Sequence, residues 1–109
     1  MKKKVLPSHE YLDELTELIS ILVAKEYFSS KMYAKQYVSL LNNYVRNNIG
    51  ISPSKKAPSF FIKYGKDLKY ITYVHSSHTT WYILFEETED TFFLRHITNN
   101  HVSGQYFNI

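Results

Sequence analysis

The sequence predicts a two-layer α+β domain in the order β-α-α-β-β-β. An N-terminal strand and a helical hairpin pack on one face of an antiparallel sheet. Three observations carry this. Two amphipathic stretches follow one another before residue 50. Three runs rich in aromatic and β-branched residues crowd the C-terminal half. Their connections are short enough to be hairpins. One face of a sheet is then the only large apolar partner for the helices.

Taken in order, Lys2–Leu6 reads as a short edge strand. Pro7-Ser8 reads as a helix start, with Ser8 placed to accept from unpaired backbone N–H groups. Glu10, Asp13 and Glu14 sit early, which suits the helix dipole. Tyr11, Leu12, Leu15, Leu18, Ile19, Leu22 and Val23 give a helical stripe to about Lys25. "EYFSS" interrupts it, and Ser29 or Ser30 can cap a second helix. Ala34, Tyr37, Val38, Leu41, Tyr44 and Val45 form the second stripe, with Gly50 where a helix-ending glycine belongs. Residues 50–68, "GISPSKKAPSFFIKYGKDL", read as a long loop. The strand candidates are 69–75, 79–86 and 91–98, joined by "SSH" and "ETED".

Strand alternation sorts side chains to two faces. Trp81, Ile83 and Phe85 oppose Tyr82 and Leu84; Phe93, Arg95 and Ile97 oppose Phe92, Leu94 and His96. A sheet face carrying aromatics and a few cations suits stacked bases or a partner peptide. The last strand runs into "NNHVSGQY", which is nearly without apolar residues and reads as a loop.

At 109 residues the chain is a single domain with one modest core. Ten Tyr, seven Phe and one Trp are an unusual aromatic load. The absence of cysteine excludes a disulfide framework and thiolate chemistry. "MKKK" is followed by no apolar core of a signal peptide, and the longest apolar run, "WYILF", is far short of a membrane span. The expectation is a cytoplasmic protein with no membrane contact. Net charge is a mild +3. From Glu10 to Glu26, however, five acids meet one lysine, and from Lys31 to Lys69 eight basic residues meet one acid. Such a positive zone attracts phosphate or an acidic partner. His75 and His78 make a weak metal motif, lacking an accompanying ligand pattern, and no metal or cofactor is expected.

The element order, "FFIKYGKDLKYITY", "HTTWYILFE" and the closing "FFLRHITNNHVSGQY" resemble the RelE/ParE superfamily of toxins from toxin–antitoxin pairs. The resemblance covers nearly the whole chain. It implies a toxin, held by a cognate antitoxin that lays an extended, often acidic segment over it, with a role in plasmid stabilisation. RelE-like members are endoribonucleases that cut mRNA on the ribosome without a metal. ParE-like members poison DNA gyrase without hydrolysis, and a degenerate member acts only as a binding module.

Metal-free RNA cleavage needs a base for the ribose 2′-hydroxyl, cations for the phosphate and an acid for the leaving 5′-oxygen. Carried over by position, the resemblance makes His101, Tyr106 and Arg95 the candidate catalytic residues. Lys63, Lys66 and Asn100 become candidate phosphate-binding residues. Asn100 stands where relatives carry an arginine, and Arg95 lies five residues earlier on the strand.

Overall fold

The computed structural model describes residues 3–24, 31–75, 77 and 79–107. The elements are β1 (Lys4–Pro7), α1 (His9–Ala24), α2 (Lys31–Asn48), β2 (Lys55–Lys56), a 3₁₀ helix (Ser59–Tyr64), β3 (Lys69–Val74), β4 (Thr80–Glu87), β5 (Thr91–Asn99) and α3 (Asn100–Phe107). The α+β class and the β-α-α-β-β-β order hold. The suggested caps Ser29 and Ser30 lie outside the described residues, as does His78.

Ser8 caps α1: the Tyr11 N–H donates to its Oγ at 3.1 Å. α2 ends at a left-handed Gly50, φ +81°. Tyr11, Leu15 and Leu18 from α1 join Ala34, Val38, Leu41 and Val45 from α2 in the main core. Both stripes lie on Ile71, Trp81, Ile83, Phe85, Phe92, Leu94 and Ile97 of the sheet.

The sheet order is β1-β5-β4-β3-β2. β2–β3, β3–β4 and β4–β5 are antiparallel, but β1 is an edge strand running parallel to β5, so the sheet is mixed. β1 pairs only with Thr91–Leu94. Beyond Leu94, β5 has no strand neighbour on that side among the described residues.

Three expectations need correction. The loop at 50–68 is partly folded: Lys55–Lys56 adds a short strand to β3, and Ser59–Tyr64 forms a 3₁₀ helix. The closing segment "NHVSGQYF" is a helix, not a loop. Asn99 starts it by accepting from the N–H groups of His101 and Val102 at 2.9 and 3.1 Å. The strict alternation of β5 is broken by a bulge. Leu84 pairs with His96 and Phe85 with Leu94, so Arg95 is left without a partner on β4. Phe92, Leu94 and Ile97 therefore share the helix-side core, and His96 is freed from the Phe92–Leu94 face.

The far face of the sheet is not bare. Phe61, Leu68 and Leu84 form a second cluster there, with Tyr64, Tyr70, Tyr82, Tyr106 and Phe107 packed around them. The 3₁₀ helix and α3 thus cover part of this face, and the Phe107 ring stacks on Tyr82 at 3.8 Å.

Candidate functional site

The open edge of β5 is where the site forms. β1 stops at Pro7, while β5 continues to Asn99, so an uncovered stretch of strand faces α1 on one side and the 3₁₀ helix on the other. A cavity of about 790 Å³ occupies this position. α1 contributes Glu14 to its wall, the 3₁₀ helix Lys63 and Tyr64, β5 His96, and α3 His101 and Tyr106.

A strand edge left without a neighbour exposes backbone N–H groups that need acceptors. Glu14 supplies one. Its Oε1 accepts from the Ile97 N–H at 3.1 Å, and its Oε2 lies 2.5 Å from His96 Nδ1. The imidazole is fixed a second time by Tyr64, whose ring stacks on it at 3.8 Å with a 10° interplanar angle. Burial, then the nearby Glu14 charge, pushes the Tyr64 hydroxyl pKa up, so it stays a neutral phenol near neutral pH.

His101 is exposed on the first turn of α3, with Nε2 3.1 Å from Thr79 Oγ1. Tyr106, one helix end away, stacks on Phe60 at 3.7 Å and 8° and meets Phe61 edge-on at 6.0 Å. Lys63 holds its ammonium 4.6 Å from the centre of the Phe60 ring. These three candidates share the cavity.

The other three do not. Arg95, displaced by the bulge, donates from Nε to the Tyr64 carbonyl at 2.7 Å and lies 3.4 Å from Glu86 Oε1. It clamps the end of the 3₁₀ helix and is not on the cavity wall. Asn100 accepts from the Thr80 N–H at 2.9 Å and joins α3 to the start of β4. Lys66 is exposed in the turn after the 3₁₀ helix, away from the cavity. The positive zone of the sequence is likewise dispersed: Lys69 pairs with Glu87 at 3.0 Å, and of its lysines only Lys63 lines the cavity among the described residues.

Trp81 is buried in the main core, and its Nε1 donates to the Tyr37 hydroxyl at 2.8 Å. Two cavity residues, Glu14 and His96, were not among the candidates. A signal for Glu14 was present in the helical spacing. It stands between Tyr11 and Leu15/Leu18 on the buried stripe of α1, where an acid needs a partner. Nothing local marked His96, because the bulge that turns it is a property of strand pairing.

Among the described residues, no three His, Asp or Glu side chains converge as a metal-binding group. None of the described helices is long and apolar enough to cross a membrane. The chain matches no protein-family model, and neither a curated protein nor a solved structure gives a match.

Proposed function

We propose that the chain is a toxin of RelE/ParE type that cuts ribosome-bound mRNA without a metal, using the cavity beside β5 as its cleavage site. One observation carries this reading: Lys63, His101 and Tyr106, drawn from two distant parts of the sequence, line one cavity. In such a site the Lys63 ammonium offsets charge on the scissile phosphate. The Tyr106 hydroxyl, which has no hydrogen-bond partner among the described residues, donates to a phosphate oxygen. His101, as imidazolium, gives its proton to the leaving 5′-oxygen. The rings of Phe60 and Tyr106 offer a stacking platform for a splayed base.

Primer extension on a translated reporter mRNA tests this, with and without ribosomes. New ends inside codons that need ribosomes and vanish in His101→Ala support the reading. Intact mRNA in arrested cells refutes it.

A second reading, a non-enzymatic gyrase poison, has one specific observation in its favour. Arg95 and Asn100, the residues nearest to the family's arginine, are both spent on structural contacts. That leaves Lys63 as the sole lysine or arginine among the described residues on the cavity wall. Loss of supercoiling activity in a purified gyrase assay, with mRNA intact, selects this reading. An acidic antitoxin segment is the partner under either.

A further inference from the structure

Lys63, Tyr106 and His101 leave one role unfilled. Cleavage also needs a group that accepts the 2′-hydroxyl proton. We propose that His96 is this base and that Glu14 is its positioning residue; the proposal rests on the nuclease reading above.

The argument begins with the imidazole's two nitrogens. Nδ1 faces the Glu14 carboxylate at 2.5 Å. A carboxylate only accepts, so a neutral His96 must carry its proton on Nδ1, which leaves a lone pair on Nε2. Nε2 has no hydrogen-bond partner among the described residues, and no buried side-chain nitrogen or oxygen there is unsatisfied. Nε2 is therefore not sealed off in the interior, and in this proposal it opens on the cavity that His96 lines.

The carboxylate is itself held. The Ile97 N–H fixes one oxygen at 3.1 Å, so Glu14 cannot swing away when His96 changes charge. Stacking on Tyr64 holds the ring plane. The pair thus has the three parts that a base needs: a fixed tautomer, a fixed orientation and a counter-charge for the imidazolium that forms. The other charged or titratable groups around the cavity are Glu17 of α1, Tyr37 of α2, Lys63 and Tyr64 of the 3₁₀ helix, His75 after β3, and His101 and Tyr106 of α3.

The step balances as an internal transesterification. His96 Nε2 takes the proton from the ribose 2′-hydroxyl, and the 2′-oxygen forms a bond to phosphorus. The bond from phosphorus to the 5′-oxygen breaks, and that oxygen takes a proton from His101. The products are a 2′,3′-cyclic phosphate and a 5′-hydroxyl. Proton exchange with water resets both histidines.

Glu14→Gln is the sharp variant. Glutamine keeps an oxygen for the Ile97 N–H but presents an amide N–H to Nδ1. The imidazole must then carry its proton on Nε2, where it cannot act as a base. Cleavage by Glu14→Gln and His96→Gln is measured across pH alongside the unaltered protein. Long-range ¹H–¹⁵N spectra report the His96 tautomer, and thermal melts confirm folding. The expected result is Nδ1–H in the unaltered protein and Nε2–H in Glu14→Gln. Cleavage falls about 100-fold or more in both variants, and the residual activity loses its dependence on an unprotonated histidine.

Equal rates and pH profiles in all three proteins overturn the role of the pair while leaving the nuclease reading intact. A proton on Nε2 in the unaltered protein overturns it too. Absence of cleavage by the unaltered protein removes the nuclease reading and this proposal together.

Discussion

Glu14 on α1 and His96 on β5 stand 82 residues apart in sequence and 2.5 Å apart in space. The same carboxylate accepts from the Ile97 backbone, so one side chain supplies an acceptor at the strand edge that β1 leaves open. Two losses coincide in Glu14→Ala: a backbone N–H without its acceptor and an imidazole without its partner. Each such loss costs roughly 1–3 kcal/mol. Glu14→Ala should therefore lower unfolding free energy by about 2–4 kcal/mol, with both donors open to cavity water. Glu14→Gln should lose less than half as much, because it keeps the Ile97 acceptor and gives His96 Nδ1 a neutral amide donor in place of the carboxylate. Urea denaturation measures both, and equal losses would refute the two-donor account.

Tyr106 separates packing from chemistry. Its ring stacks on Phe60 at 3.7 Å, a contact that phenylalanine preserves. Tyr106→Phe should leave stability within about 0.5 kcal/mol and lower mRNA cleavage about 10-fold, by removing one donor to the phosphate. Tyr106→Ala should also lose about 1–2 kcal/mol of stability with the stack. Full toxicity in Tyr106→Phe would confine the residue to packing.

Arg95 behaves as a strut. Its Nε donates to the Tyr64 carbonyl at 2.7 Å, and the pair with Glu86 lies at a half-exposed surface where it contributes little. Arg95→Ala should cost about 1–2 kcal/mol, mostly from the lost bond to the end of the 3₁₀ helix. Cleavage measured well below the melting temperature should stay within about 3-fold of normal, since Arg95 does not reach the cavity. A large rate loss in a folded Arg95→Ala protein would return the residue to the chemistry.

These three residues show what a sequence can carry. The helix bounds, the Ser8 cap and the three long strands follow from local spacing and propensity, each within a residue or two of its expected place. Of the α1 stripe, Tyr11, Leu15 and Leu18 are buried, Leu12 is exposed, and the side chains of Ile19, Leu22 and Val23 lie outside those described. The site depends on register. Alternation along β5 put Arg95 and Ile97 on one face, and one unpaired residue at Arg95 undid that assignment. α3 was hidden by Gly104 in its interior and by a polar composition with no apolar stripe; its one local sign was the capping Asn99. His101, Tyr106 and Lys63 were reachable through resemblance, whereas the Glu14–His96 pair arises only once α1 and β5 are packed.

Gly50 tests the packing where α2 ends. Its φ is +81°, and an added Cβ would lie 2.6 Å from Phe92 Cζ, inside the core. Gly50→Ala meets backbone strain and ring displacement together, which should cost at least about 2 kcal/mol. Pairing it with Phe92→Leu should give a combined loss smaller than the sum, because the smaller side chain makes room for the methyl. Strict additivity would mean that the two positions do not touch.

Glu87 makes the fold sensitive to acid. It pairs with Lys3, just before β1, and with Lys69 at the start of β3. The hydrogen bond from Lys3, then that from Lys69, holds its carboxyl below the ordinary value of 4.5. A carboxylate with a lowered folded-state value stabilises the protein above its unfolded value. That contribution is lost as pH falls through the folded one. Both pairs are solvent-facing, so the total at neutral pH should be about 0.5–1 kcal/mol and should shrink in salt. Glu87→Gln should thus be less stable than the unaltered protein at neutral pH. The two should converge as pH drops below 4.5 toward full protonation. Denaturation at a series of pH values reads this directly. A stability gap that persists in acid would assign the effect to side-chain packing, with the charge of Glu87 playing no part.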